Sequence, residues 1–473
     1  MRNRIILFGL ILLIWAFLKA VDYFFNGPQL LILLSLAVAI MITHSLWLLS
    51  AQKHWQRKVE KHKLIGHQQV KPRNKRLRAN DTQDDTSWKP WVDIFIAAKN
   101  EERVIEITIR NLLKLDYDKL LLWVINDCST DNTKEVLESL ITECPNLRIV
   151  NRAPGSHPGK SAALNDALAL AKGDVIAVFD ADAYVEPDFL NITLPVLAPD
   201  GIGAVQAQKK IYKHQKGWLI DCQSSEYALD TYFQVGRDII GGAVELRGNG
   251  QLIKRAALID VAGWNNHAIT DDLDLSMRLL TNHWDIRFCP YACVYEEGVT
   301  YVKALLRQRQ RWAEGSIRRY LDYIFPLNSP TRLSFVERFD TLAFTVFFVV
   351  PAIVLLEIVS EAIHYCCGIS PHANFLAALI VAIFIISQLN LIIAIRVYGK
   401  PMSILASISH SLSVEMYLYL HWLPCVFSAL RQIIFGKRVS TWHPTKHVGD
   451  AANNLTVQNK DSYTDKTFAK YQI

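Results

Sequence analysis

Two carboxylates that follow a short apolar run suggest a site for a divalent cation. Asp180 and Asp182 flank one small residue directly after Val-Ile-Ala-Val-Phe, a run typical of a buried strand. Carboxylate oxygens are the ligands that Mg²⁺ and Mn²⁺ prefer. Asp-x-Asp is also common in turns, but its position at the end of a buried strand favours the functional interpretation. We predict that one of the two carboxylates binds Mg²⁺ (or Mn²⁺), that the cation bridges to a diphosphate, and that the other carboxylate contacts a sugar hydroxyl.

A second acidic cluster predicts a general base. Asp271, Asp272 and Asp274 place three carboxylates within four residues, directly after Thr270. Such carboxylates repel one another unless a cation or a proton offsets them. They also suit the first turn of a helix with Thr270 as its cap, and the two interpretations are compatible. We predict that one of these carboxylates deprotonates an acceptor hydroxyl as it attacks an activated sugar.

Basic and aromatic residues offer contacts to a diphosphate and a sugar. Lys160 follows Pro-Gly at the start of a predicted helix, where phosphates bind readily, although a solvated surface lysine is an equally simple interpretation. Gln308, Arg311 and Trp312 lie in an amphipathic stretch shortly before an apolar segment. This stretch suits a helix at the membrane surface. We predict in addition that its guanidinium groups contact the departing diphosphate and that Trp312 supports a sugar ring.

Alternating strand and helix patterns predict an α/β sheet that positions these residues. Ligands of such sheets lie beyond the carboxyl ends of the strands. Asn100 and Glu101 follow the first predicted strand and Asp127 follows the second, so we expect their loops to converge with Asp180 on one crevice. The predicted strands are Val92–Ala98, Leu120–Ile125, Leu147–Val150 and Val175–Phe179, and the predicted helices are Glu102–Leu115, 133–142 and 160–171.

The two ends of the chain are apolar enough to cross a membrane. Hydrophobic residues make up 51% of the 473 residues, and they are concentrated outside the central region. Residues 51–80 carry ten Lys and Arg against one acidic residue, which predicts that this segment and the central domain lie in the cytosol. The net charge of +6 is dispersed and predicts no nucleic-acid partner. The candidate spans are Ile5–Ala20, Leu30–Leu49, Leu342–Val359, Phe375–Ile395 and Ile404–Leu430.

Five motifs occur in the order found in membrane-bound family 2 glycosyltransferases, which the chain therefore resembles. They are Asn126-Asp127, Gly159-Lys160, Asp180-Ala-Asp182, Thr270-Asp271-Asp272 and Gln308-x-x-Arg311-Trp312. The resemblance implies a GT-A fold, which is a Rossmann-like mixed α/β sheet, in a cytosolic domain flanked by transmembrane helices. It also implies a nucleotide-sugar donor.

The resemblance assigns a role to each matching residue. Asp272 would be the catalytic base of an inverting transfer, and Asp182 would bind the metal. The family's usual Thr-Glu-Asp is Thr-Asp-Asp here, so Asp271 is one methylene shorter than its counterpart. The donor would be bound by Asn100, Glu101, Asp127 (uracil), Lys160 and Asp180, and the acceptor or diphosphate by Asp271, Gln308, Arg311 and Trp312.

The resemblance also implies an organisation for the chain and a membrane location. The chain would be a multi-pass integral protein with its catalytic domain in the cytosol, in the plasma or thylakoid membrane if the source is cyanobacterial. The predicted parts are a transmembrane hairpin at 1–50, a basic linker at 51–90, the GT-A domain at 91–300, an amphipathic interface region at 301–338, two or three transmembrane segments at 339–435 and a polar tail at 436–473.

More narrowly, three segments are similar to cyanobacterial monoglucosyldiacylglycerol synthases, which transfer glucose from UDP-glucose to diacylglycerol. They are Ile269–Leu275, Glu296–Thr300 and Gln310–Gly315. The partners implied are a UDP-sugar, a lipid acceptor and the bilayer. A processive polysaccharide synthase that makes a β-linked glycan shares nearly the same motifs and remains an alternative. A non-catalytic nucleotide-binding sensor or a transporter is a second alternative.

Overall fold

The computed structural model describes residues 29–63, 88–212, 215–328, 332–366 and 373–436. Two predicted features lie outside these residues: the first span, Ile5–Ala20, and the tail from residue 437 onward. Most of the predicted linker lies outside them as well. The chain divides into two compact bodies. Of the described residues, the sheet body comprises 52–63, 88–212, 215–227 and 244–300, and the helical body comprises 29–51, 228–243, 301–328, 332–366 and 373–436.

Eight strands of the described residues form one mixed sheet in the sheet body, in the order β3-β2-β1-β4-β7-β6-β8-β5. The first four strands run parallel to one another, β7 is antiparallel to both of its neighbours, and β6 is parallel to β8. The strands are β1 (Val92–Ala98), β2 (Leu120–Asn126), β3 (Leu147–Asn151), β4 (Val175–Phe179), β5 (Tyr184–Val185), β6 (Ile202–Ile211), β7 (Gln251–Lys254) and β8 (Asp285–Glu296).

Apolar runs account for the central strands. Every residue of β1 and β4 is buried, as expected for parallel strands that helices cover on both faces. Phe179 at the end of β4 packs edge-on against Phe189, with ring centroids 5.4 Å apart. The sequence-based prediction of β1 and β4 is correct to the residue, and β2 and β3 are each one residue longer than predicted.

Seven helices of the described chain accompany the sheet. The predicted helix Glu102–Leu115 is too long at both ends, since the helix runs from Ile105 to Leu112. At its start, the N–H groups of Val104 and Ile105 both donate to Glu101 O and form a turn before the helix begins. The helices are α1 (Gln29–Lys63), α2 (Ile105–Leu112), α3 (Thr133–Ile141), α4 (Lys160–Leu170), α5 (Phe189–Leu197), α6 (Trp218–Ile240), α7 (Arg255–Asp260) and α8 (Asp271–Thr281), of which α1 lies mainly in the helical body.

The helical body contains long apolar helices. Among the described residues, three helices are long and apolar enough to cross a membrane: Ser35–Lys53, Ala377–Tyr398 and Ile404–Phe435. One lies before the sheet body in the chain and two lie after it, which agrees with the predicted order. The helices that follow the sheet body are α9 (Val302–Asn328), α10 (Phe335–Cys366), α11 (Ala373–Tyr398) and α12 (Ile404–Phe435).

A fully buried charge cluster joins three helices within the helical body. Asp340 of α10 accepts from Arg237 Nε at 2.8 Å through one oxygen and bonds His44 Nε2 at 2.7 Å through the other. All three side chains are inaccessible to solvent. Since an isolated buried charge is very costly, each partner requires the others, and the cluster fixes α1, the end of α6 and α10 against one another.

Candidate functional site

The loop after β1 is tied to the loop after β2. Asn100 adopts a left-handed backbone (φ 59°), which asparagine tolerates better than most residues. Its N–H donates to Ser129 Oγ at 3.0 Å, and its Oδ1 accepts from the N–H of Thr130 at 2.7 Å. The buried Glu101 adds a third bond, from its N–H to Thr133 Oγ1 at 2.8 Å. The structure therefore brings both predicted residues to the crevice, where they hold its wall together.

Asp127 lies at the floor of the crevice, with both carboxylate oxygens occupied by donors from the protein. Oδ1 accepts from the guanidinium of Arg152, and Oδ2 accepts from the N–H of Gly159 at 3.2 Å. Lys99 Nζ lies 3.7 Å from Oδ2. The side chains of Asp127 and Arg152 are 3% and 2% exposed, so they form a buried ion pair. Arg152 was not predicted from the sequence, although it directly follows β3 at the same edge of the sheet.

Lys160 and Asp180 form an ion pair at the centre of the crevice. Lys160 is the first residue of α4, and Asp180 directly follows β4. The ammonium donates to Asp180 Oδ1 and, at 3.1 Å, to the carbonyl oxygen of Gly248. Burial alone would lower the pKa of Lys160, but the neighbouring carboxylates, led by Asp180, raise it above its usual value. Lys160 is therefore a permanent cation of the site.

Asp272 lies beside this ion pair. It stands in the first turn of α8, and a Cβ atom added to Gly248 would be only 3.2 Å from Asp272 Oδ2. Burial, together with repulsion from Asp271, raises the pKa of Asp272 to about 6. Its Oδ1 accepts from the N–H of Leu273 at 2.8 Å. The pKa is that of a carboxylate suited to accept a proton near neutral pH.

Asp271 has an unsatisfied oxygen on the same helix turn. Its Oδ2 is buried and has no hydrogen-bond partner within the part of the chain that the structure describes. A buried acceptor without a donor costs free energy, and functional sites are places where such atoms occur. The predicted role of Asp271 in binding the acceptor or the diphosphate stays a prediction, with this oxygen as its structural support.

Asp182, two residues after Asp180, is buried. Its Oδ2 accepts from the N–H of Glu297 at 2.9 Å, and its carbonyl oxygen accepts from the hydroxyl of Tyr212 at 2.6 Å. Burial, followed by the negative charge of Asp182, raises the pKa of Tyr212 well above its usual value, so this hydroxyl remains a donor. The bonds fix the backbone and the carboxylate of Asp182 at once.

The donor set fits a divalent cation shared with a substrate. The described residues contain no group of three or more His, Cys, Asp or Glu side chains that could enclose a metal by themselves. Mg²⁺ is commonly bound by one or two carboxylates together with substrate phosphates and water. Asp180 and Asp182 supply hard carboxylate oxygens of that kind, so the residues fit such a cation.

The remaining predicted residues lie on α9 in the helical body. Between them, the fully buried Arg309 stacks its guanidinium on Trp312, 4.0 Å from the ring centroid, and donates to Gln308 Oε1 at 2.7 Å. Arg309 thus orders the motif that contains Gln308, Arg311 and Trp312, although the sequence analysis gave it no role. Their predicted contacts with acceptor or diphosphate stay predictions.

The mixed sheet with a lysine and paired aspartates at its carboxyl edge defines a GT-A-type glycosyltransferase. A family model described as "Glycosyltransferase like family 2" matches residues 90–315. The chain belongs to glycosyltransferase family 2 and is therefore a glycosyltransferase.

Individual relatives agree with this assignment. A beta-monoglucosyldiacylglycerol synthase from Trichormus variabilis is 36% identical over 368 residues, which cover 76% of this chain and 77% of the relative. A synthase of the same name from Synechocystis is 46% identical over 236 residues, or 50% and 49% of the two chains. In fold, the chain is similar to a mannosyltransferase from Pyrobaculum calidifontis solved with GDP-Man and Mn²⁺, with TM-score 0.54, 18% identity and coverage of 85% and 99%.

Replacing Arg152 by methionine should destabilise the enzyme strongly. The substitution removes the guanidinium that pairs with the buried carboxylate of Asp127 and leaves only the Lys99 ammonium, 3.7 Å away; breaking a buried pair in this way costs about 3–5 kcal/mol. We expect a clear fall in the thermal unfolding midpoint of the detergent-solubilised protein. The double variant Arg152→Met/Asp127→Asn should recover part of the loss. A single variant that unfolds at the wild-type temperature would contradict the role of this pair.

Proposed function

We propose that this enzyme is an inverting, metal-dependent hexosyltransferase that moves glucose from UDP-glucose to diacylglycerol and forms β-monoglucosyldiacylglycerol. One observation carries the proposal: a carboxylate with a pKa of about 6, Asp272, lies in the same cluster as a partly buried lysine at a helix N-terminus and the paired aspartates after β4. Asp272 would supply the base, and Lys160 with the paired aspartates would supply a place for an anionic leaving group and its cation. The names of the two synthases to which the chain is similar support glucose and a lipid acceptor.

The donor side of the cluster is suited to a diphosphate. Lys160 presents an ammonium at the N-terminus of α4, where backbone N–H groups and the helix dipole also favour an anion. Asp182 would hold Mg²⁺ or Mn²⁺, which, when bound, offsets the negative charge that develops on the departing UDP, and Asp180 would contact the donor beside it. Asn100, Glu101 and Asp127 complete the predicted donor site from the loops after β1 and β2.

On the acceptor side, Asp272 would act as the base. Its carboxylate takes the proton from the acceptor hydroxyl while the hydroxyl oxygen forms a bond to C1 of the glucose. The bond from C1 to the UDP oxygen breaks, and its electron pair leaves with UDP. Attack from the face opposite the leaving group inverts the configuration at C1, so an α-linked donor gives a β-linked product.

The apolar helices of the helical body support an acceptor that is dissolved in the membrane. Three apolar helices of the described chain are long enough to cross a bilayer, and diacylglycerol is dissolved there. We propose a multi-pass protein whose catalytic domain faces the cytosol, because the segment after the N-terminal span is strongly basic. Gln308, Arg311 and Trp312 would then meet the acceptor or the diphosphate near the membrane surface.

The product identifies the function directly. The detergent-solubilised enzyme is incubated with radiolabelled UDP-glucose and diacylglycerol, and lipid is then separated from polymer. We expect a chloroform-soluble glycolipid whose hexose is β-linked. Parallel reactions with UDP-galactose and without diacylglycerol serve as controls. An ethanol-insoluble polymer would instead establish a processive polysaccharide synthase and refute the lipid acceptor.

Replacing Asp272 by asparagine should abolish transfer while nucleotide binding persists. Loss of a general base lowers kcat by about 100-fold or more. In the wild type, the rate should fall as the pH drops below about 6, because protonation of Asp272 removes the base. Asp260→Asn, at an exposed carboxylate, is the matched control and should retain full activity. Near-wild-type activity of the Asp272 variant would defeat the assignment.

Removing divalent cations should stop turnover. Without a divalent cation, only the side chains of Lys160 and Arg311 would offset the charge of the departing diphosphate, which is insufficient for rapid departure. We expect EDTA to inhibit transfer fully and an excess of Mg²⁺ or Mn²⁺ to restore it. Turnover that persists in EDTA would rule out the metal role given to Asp182.

A further inference from the structure

Asn249 links the central aspartate to a buried network. It is fully buried and lies between two glycines with left-handed backbones, Gly248 (φ 77°) and Gly250 (φ 68°). At Gly250 a side chain is excluded, because a Cβ atom there would be 2.6 Å from Val294 Cγ1. The amide oxygen of Asn249 accepts from the N–H of Asp180 at 3.1 Å. The backbone of Asp180 is therefore held by one side chain from a distant part of the sequence.

Glu296 fixes the orientation of that amide. Its Oε2 accepts from Asn249 Nδ2 at 3.1 Å and from Lys209 Nζ at 2.9 Å, and its Oε1 accepts from the hydroxyl of Tyr227. An ionised carboxylate can only accept hydrogen bonds, so the NH₂ group of Asn249 must face it. The amide oxygen is thereby left to face the N–H of Asp180.

Glu297, the residue after Glu296, contacts the other aspartate of the pair. The N–H of Glu297 donates to Asp182 Oδ2 at 2.9 Å. Two consecutive residues at the end of β8 thus hold both aspartates, one through Asn249 and one directly. Lys209 supplies the opposite charge beside Glu296: burial alone would lower the pKa of this lysine, but the adjacent carboxylate raises it above its usual value.

We propose that Asn249 and Glu296 are positioning residues that set Asp180 in the geometry required for the divalent cation and the donor diphosphate. The inference rests on the proposed function, because it assigns Asp180 to the donor, whose diphosphate shares the cation with Asp182. Neither residue touches the reacting atoms. Outer partners that orient a ligand typically change metal affinity by about 10–100-fold when they are replaced.

Exchanging the acid and the amide tests this network. In Asn249→Asp two carboxylates face each other, and in Glu296→Gln the fixed acceptor is lost. We expect each variant to weaken Mn²⁺ binding in the presence of UDP by about tenfold or more. The double variant N249D/E296Q restores one acid and one amide in contact, with an oxygen facing the N–H of Asp180. Its Mn²⁺ affinity should return to within about threefold of wild type.

Mn²⁺ binding is measured by the loss of the free-ion electron paramagnetic resonance signal, so the readout does not depend on turnover. Trp123→Phe is the matched control, because it removes one partly buried hydrogen bond, from Trp123 Nε1 to Asp93 Oδ1 at 2.9 Å, at the start of β1 and not at the carboxyl end where the cluster lies. If wild type fails to bind Mn²⁺ with UDP, the proposed function is refuted together with the inference. If wild type binds but the single variants bind equally well, or the double variant stays as weak as either single variant, the inference alone is refuted.

Discussion

Electrostatic repulsion among three carboxylates is the constraint on which the site depends. Asp180, Asp271 and Asp272 all act on the one ammonium of Lys160. A lysine at a helix N-terminus is itself unfavourable, because the helix dipole there is positive. The carboxylates offset that cost, and the lysine in turn offsets their mutual repulsion. The lysine and the carboxylates therefore stabilise one another, and an anionic donor that binds here adds its charge to this cluster.

The mixed sheet is what brings these charges together. The parallel strands β1 to β4 deliver the loops of Asn100, Asp127 and Asp180 to one edge, as ligand sites in α/β folds require. The antiparallel β7 then returns the chain through the middle of the sheet, so that the loop before it reaches Lys160 and Asp180. The base on α8 is placed against the same loop through its contact with Gly248.

The parts that could be predicted from the sequence are those with a local signal. The strands β1 and β4 are continuous apolar runs, and the polar residues directly after them could be assigned to the crevice. Asn249 and Glu296 carry no such signal, because their roles arise from distant partners: Asn249 bonds Asp180, 69 residues away, and Glu296, 47 residues away. Arg152 does follow a strand, but its pairing with Asp127, 25 residues away, is not visible in the sequence. The pKa of Asp272 likewise depends on burial, which the acidic motif alone does not specify.

The central claim is that one crevice at the carboxyl edge of the sheet holds the donor, the cation and the base. A structure of the enzyme with UDP-glucose and Mn²⁺, in which the metal is located by its anomalous scattering, tests this most directly. We expect Mn²⁺ to be coordinated by Asp182, the diphosphate to contact Lys160 and the Asp272 carboxylate to face C1 of the glucose. Donor or metal bound away from these residues would contradict the account.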